Sequence, residues 1–172
     1  HYPLKQMSPE KFFDSLMVAS QANRVGAKGW EQGEKMKEEL QQQFTAVFNN
    51  DENSEADSFN GTIPQALLLM NGSIMDKAVS KNSGSLLHER VQEINEQIEK
   101  RRVKSTVAAY DALVGELYLA AVSRYPTKQE RMIATQLLDS TMTQSKNKEW
   151  ALDALQDIFW ALLNSSEFVL NH

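Results

Sequence analysis

The chain has no cysteine. This absence removes disulfides, thiolate zinc sites, iron–sulfur clusters and cysteine nucleophiles together. It leaves the compartment open, because exported bacterial proteins also lack cysteine in many cases. Histidine is nearly as scarce: His1 and His172 stand at the two ends and His88 near a helix start. His88-Glu89 has no second histidine four residues on, so the zinc-helix pattern is missing and His88 reads as a surface side chain. Basic residues are in the minority, with a net charge of -5. That balance argues against a nucleic-acid partner, since phosphate contacts need a basic face. The one basic cluster, Lys100, Arg101, Arg102 and Lys104, is flanked by Glu93, Glu96 and Glu99 and reads as a solvated helix face. Long apolar runs are missing too. The stretches 66–70 and 117–122 fall far short of the roughly 20 residues a membrane span needs.

Catalytic signatures are equally sparse. There is no Gly-x-Ser-x-Gly elbow, no phosphate-cradling glycine loop and no dinucleotide fingerprint. No cofactor is implied, and the chain reads as non-catalytic. Strict apolar–polar alternation, the mark of a half-buried strand, is also absent, as is any short internal repeat.

What is present is helical patterning over 172 residues, 41% of them hydrophobic and 24% charged. This is one globular domain's worth of chain. Ser8-Pro9-Glu10 opens a helix with a capping hydroxyl and a proline at its first position. Phe12, Phe13, Leu16 and Met17 then share one face. Gly26 and Gly29 mark a break before a second helix from Trp30 into Phe48, with Leu40, Phe44, Val47 and Phe48 inward. Residues 49–61 are a polar, acidic loop. Thr62-Ile63-Pro64 restarts a helix, Asn71-Gly72 caps it, and 74–79 add a further turn or two. After a polar break at 80–85, Leu86, Leu87, Val91, Ile94 and Ile98 line a charged helix whose end the pattern leaves open.

Tyr110, Leu113, Leu117, Leu119, Ala120 and Val122 build the most apolar helix, which must stop before Pro126. Thr127-Lys128-Gln129-Glu130 is a capping box, and Met132, Ile133, Leu137 and Leu138 are expected to face inward. Asn147 is placed as the cap of a last long helix carrying Trp150, Leu152, Leu155, Phe159, Leu162 and Leu163. Residues 165–168 add a short helical turn. The expected fold is all-α: a single domain, 1–172, built as an irregular multi-helix bundle.

The weak metal candidates are Asp51, Asn53, Glu55 and Asp57, spaced like the early ligands of a calcium loop. Ala56 stands where that loop needs glycine and Thr62 where it needs a bidentate glutamate, so a solvated loop is the expectation and no metal is assigned. Asp111 and Glu116 are the carboxylates to inspect for acid–base work, against a plain reading as salt bridges at the core edge. Met70 and Met75 lie at helical spacing and read as core.

Two segments together carry a family resemblance. Phe59-Asn60-Gly61-Thr62-Ile63-Pro64-Gln65-Ala66-Leu67-Leu68-Leu69-Met70-Asn71-Gly72 is one. The other is Leu117-Tyr118-Leu119-Ala120-Ala121-Val122-Ser123-Arg124-Tyr125-Pro126-Thr127, answered by residues 157–168. Their order resembles the C-terminal region of large exported proteins of planctomycetes and related bacteria, in paired families of unknown function that often carry a cytochrome c-like module. The resemblance implies an exported setting and further domains upstream; it supplies no catalytic residues. Haem attachment needs Cys-x-x-Cys-His, which this chain cannot provide. The chain opens His-Tyr-Pro with no signal peptide following, in keeping with a piece of a longer protein. If the motifs line a site, its polar groups are Gln65, Asn71, Arg124, Tyr125 and Asn164; otherwise they serve fold and docking.

Two functions follow as expectations. The first is a non-catalytic module that docks on upstream domains of its parent or on a protein partner; the sequence leaves its oligomeric state open. The rival is part of an exported enzyme or ligand-binding system acting on polysaccharide or another large substrate; for a sugar, Trp30, Tyr118 and Tyr125 would be exposed together in a groove.

Overall fold

A computed structural model describes residues 5–6, 9–49, 72–101 and 106–171. The fold is an all-α multi-helix bundle, as the patterning requires. The helices are α1 (Pro9–Ser20), α2 (Trp30–Asn49), α3 (Ser73–Ala78), α4 (Leu86–Arg101), α5 (Val107–Val122), α6 (Lys128–Gln144), α7 (Trp150–Leu163) and α8 (Ser166–Val169). A 3-10 turn, Ala22–Arg24, joins α1 to α2. One feature was not patterned in the sequence: strand β1 (Lys5–Gln6) pairs antiparallel with β2 (Leu170–Asn171), with Lys5 opposite Asn171. None of the described helices is long and apolar enough to cross a membrane.

Helices α5 and α7 are apolar around most of their circumference, and such helices must be enclosed. Both sit at the centre, α5 touching α1, α4, α6, α7 and α8, and α7 touching α4, α5, α6 and α8. Leu117, Leu155, Phe159 and Leu163 are fully buried between them, with Leu138 of α6 closing one side and Phe13 of α1 buried in the same core. Rings of α1, α2 and α8 interlock in this core, Phe13 meeting Phe44 at 5.3 Å and Phe12 meeting Phe168 edge-on at 5.6 Å. Met75 is core, as its spacing suggested. The Ser8 cap, the loop at 50–61, the restart at 62–64, Met70 and the Asn71 cap lie outside the described residues, as do the side chains of Val47 and Phe48.

Four expectations are corrected. Met132 and Ile133 are 54% and 56% exposed. Helix α6 turns one stripe inward, Ala134 and Leu138, with Leu137 half-buried. At 100° per residue the two preceding positions fall outside that stripe. Leu119, on the outer face of α5, is also exposed. Within the polar break at 80–85, Ser80 and Ser85 are buried. Ser85 Oγ accepts from the His88 backbone N–H at 3.1 Å and so caps α4. His88 is half-buried rather than on the surface, its Nδ1 lying 3.0 Å from the Lys81 carbonyl oxygen. Finally, Glu149 occupies the cap position of α7, while Asn147 shapes the turn before it by accepting the Glu149 N–H at 3.1 Å.

The capping box at α6 is present as read. Thr127 Oγ1 accepts from the Glu130 N–H at 3.3 Å, and Glu130 Oε2 accepts from the Thr127 N–H at 2.7 Å. Thr127→Ala is expected to cost about 1 kcal/mol, the usual worth of such a cap. Thermal unfolding should fall by roughly 2–4 °C for a domain of this size, with Thr127→Ser close to the parent.

Candidate functional site

Of the polar groups singled out from the motifs, Arg124 and Tyr125 stand at the corner between α5 and α6. Helix α5 ends when Ser123 takes a left-handed conformation, φ 56°, its N–H bonding the Leu119 carbonyl at 3.1 Å. The chain then turns through Pro126 into the capping box. Arg124 fills this corner. Its Nε and one terminal nitrogen bind the two oxygens of Glu167 at 2.6 and 2.7 Å. The terminal nitrogens also bind the two oxygens of Glu130, at 2.8 and 2.9 Å. A final bond reaches the Tyr125 carbonyl at 3.1 Å. The guanidinium plane lies 5.6 Å from the centre of the Tyr118 ring, a cation–π distance.

All five donors of the arginine fork are thereby used. A ligand carboxylate or phosphate would have to displace an internal one. The electrostatics agree. Arg124 is held above its ordinary range, chiefly by hydrogen bonds to Glu130 and Glu167. Glu130 is pulled down to about 2, first by Arg124 and then by the Thr127 N–H. Tyr118 is raised, mainly by burial. Arg124 is therefore a clamp joining α5, α6 and α8, and sequence alone could not show its two glutamate partners converging.

The other candidates separate. Asn164 follows α7 and donates from Nδ2 to the Trp160 carbonyl at 2.8 Å, a local helix-end bond. Gln65, Asn71 and the loop residues Asp51, Asn53, Glu55 and Asp57 lie outside the described residues. Glu116 pairs with Arg90 at 3.1 Å and Asp111 with Arg131 at 2.8 Å, which is the salt-bridge reading of both carboxylates. Lys100 pairs with Glu96 along α4 at 3.1 Å. Among the described residues no group of three metal-ligating side chains converges, and no buried side-chain polar atom lacks a partner.

The three rings proposed to share a groove do not. Tyr118 is 8% exposed beneath Arg124, while Tyr125 is 66% exposed beside it. The Tyr125 ring lies over Gly115 of α5, 3.5 Å from where a Cβ would stand. Trp30 is 76% exposed at the start of α2.

Trp30 borders a cleft of about 430 Å³ that motif reading missed. One wall is the 3-10 turn with Gln21, Asn23 and Arg24; another is the first turn of α2 with Trp30 and Glu34; Gly84 and Glu89 close it. Its walls are tied by backbone bonds. The Gly26 N–H donates to the Ser83 carbonyl at 3.1 Å, and the Gly84 N–H to Glu89 Oε1 at 2.9 Å. Gly84, at φ +89°, packs so tightly that an added Cβ would lie 2.2 Å from the Arg24 carbonyl oxygen. The only signals in the sequence were the paired glycines Gly26 and Gly29 ahead of a tryptophan.

No protein-family model, curated protein or solved structure matches this chain.

Proposed function

We propose that this chain is a non-catalytic helical module of an exported bacterial protein. It docks on other domains of its parent, or on a protein partner, through the corner where α5 meets α6. The observation that carries this reading is the surface around that corner. Tyr125, Met132 and Ile133 all fall between the end of α5 and the second turn of α6, and all three are more exposed than buried. Isolated exposed apolar residues need no explanation, whereas contiguous apolar patches mark interaction surfaces; these three lie along one short stretch of chain, 125–133. The Arg124 clamp holds that segment to α8 and α5, so little ordering cost remains on binding. The polar candidates nearby are already engaged with one another, which favours packing over chemistry at this place.

The exported setting rests on the family resemblance of the 117–127 and 157–168 segments. Fractionation of cells producing the parent protein tests it, with the chain expected outside the cytoplasm.

The docking test is a Met132→Glu/Ile133→Glu double variant in the full-length parent. Both side chains are exposed, so unfolding of the isolated chain should shift by no more than about 0.5 kcal/mol per site. Cross-links between this module and the rest of the protein, or its partner, should disappear. A parent in which the module tumbles independently, with no protection of Tyr125, Met132 or Ile133, refutes the proposal.

A further inference from the structure

The cleft beside Trp30 has a lining that selects a ligand class. Its hydrogen-bonding groups are Gln21, Asn23, Arg24, Glu34 and Glu89. The two amides carry both donors and acceptors, Arg24 donors only and the carboxylates acceptors only. Asn23 Nδ2 donates to the Gly33 carbonyl at 3.5 Å and Glu89 Oε1 accepts from Gly84, which leaves Asn23 Oδ1, the Gln21 amide nitrogen and Glu34 to face a ligand. An anionic ligand would meet two carboxylates against one guanidinium. That guanidinium is partly engaged already, bonding Gln21 Oε1 at 3.2 Å. An organic cation would use the acceptors but face Arg24. A ligand whose own groups both donate and accept suits the mixture, and hydroxyls do so. Beside these groups stands a large flat ring, 76% exposed, which offers an apolar face to stack on.

Hydroxyls around a flat C–H face describe a sugar ring. The volume, about 430 Å³, lies in the range of small-ligand clefts. The walls are also fixed beforehand. Gly84 packs on the Arg24 backbone, the Ala27 N–H bonds the Arg24 carbonyl at 3.0 Å, and the Gly33 N–H bonds the Gly29 carbonyl at 3.2 Å. A preformed cleft saves the cost of ordering loops around a ligand.

We propose that this cleft binds a neutral saccharide unit, which stacks on Trp30 and hydrogen-bonds to Asn23, Gln21 and Glu34. The site is separate from the docking corner, being built by the 3-10 turn, α2 and the start of α4 rather than by α5 and α6. Either can fail without the other.

The test is calorimetric titration of the 172-residue chain with neutral β-1,4-linked tetrasaccharides of glucose, mannose, xylose and N-acetylglucosamine. Choline and dextran sulfate serve as the cationic and anionic comparisons. At least one neutral tetrasaccharide should bind at millimolar concentration or below, with a change in tryptophan fluorescence. Trp30→Ala should weaken that binding by about tenfold or more and Trp30→Phe by less, both without loss of the thermal transition, because the ring is mostly in water. Asn23→Ala gives a second reading through the polar wall and should also weaken it. The proposal is overturned if none of the four sugars binds, if binding is indifferent to Trp30→Ala, or if only choline or dextran sulfate binds.

Discussion

Replacing Gly84 by alanine is expected to destabilise the chain by about 3 kcal/mol or more, through overpacking and an unfavourable backbone. The new Cβ would stand 2.2 Å from the Arg24 carbonyl oxygen and 2.9 Å from its carbon. Neither atom belongs to a flexible side chain. The Arg24 backbone is held on both sides, its N–H bonding the Gln21 carbonyl at 2.8 Å and its carbonyl accepting from Ala27 at 3.0 Å. Relief therefore requires the 3-10 turn to move away from the 84–89 segment. A left-handed φ adds roughly 1–2 kcal/mol for a residue with a Cβ. Gly26→Ala is the natural control. Gly26 has φ +75° but nothing within 4 Å of its Cβ position, so it carries the conformational cost alone. Thermal unfolding should place Gly84→Ala well below Gly26→Ala, by roughly 4–8 °C at 2–4 °C per kcal/mol. Equal melting of the two variants would mean that the close approach to Arg24 does not exist in solution. The same substitution should also loosen the Trp30 cleft, because Gly84 forms part of its wall.

The second large effect is expected at Arg124. Arg124→Ala leaves Glu130 and Glu167 facing each other without a cation and removes the ring contact with Tyr118. Breaking a buried pair costs several kcal/mol, whereas an exposed pair is worth little. This clamp is partly solvated but doubly bidentate, and we expect a loss of about 2 kcal/mol after allowing for screening. Arg124→Lys should recover only part of it, since an ammonium cannot match two carboxylate forks.

Acid distinguishes this cause from lost packing. The clamp holds the Glu130 carboxyl down to about 2 in the folded chain, while the unfolded chain has the ordinary value near 4.3. A group with a lowered folded value contributes stability above its unfolded value and loses it as pH falls toward the folded one. The stability gap between the parent chain and Arg124→Ala should thus be full at neutral pH and shrink steadily from about pH 4.5 to about pH 2. Denaturant unfolding across that window measures it. A gap that does not change with pH would assign the loss to packing of the arginine stem.

The helices themselves were legible because their causes are local. A hydroxyl three residues before a glutamate, at Thr127 and Glu130, satisfies backbone groups that any α-helix leaves open, whatever surrounds it. Leu155, Phe159, Leu162 and Leu163 recur at a spacing that only a helix gathers on one side, and they are buried. The breaks at Gly26, Gly29 and Pro126 follow from backbone sterics that tertiary contacts do not override.

What failed was the assignment of which face turns outward. Met132 and Ile133 are apolar and adjacent to the inward stripe of α6, but the stripe's direction is set by where α5 and α7 lie. Leu119 is apolar on a helix that is apolar nearly all round, so its periodicity could not choose the open side. Ser85 ends a polar break and His88 follows in the first turn of α4. The break meets the chain just after the 3-10 turn through Gly26 and Ser83, and α7 through Lys81 and Asp153, contacts between segments distant in the chain.

The sequence alone thus determined the fold class, the capping box that opens α6 and the absence of thiol and known-motif chemistry, all of which depend on neighbours along the chain. Tertiary structure alone decided that Arg124 meets Glu130 and Glu167, distant from each other in the chain, and that Gly84 closes on Arg24 to shape a cleft beside Trp30. Those convergences depend on how helices cross, which one chain's periodicity does not encode.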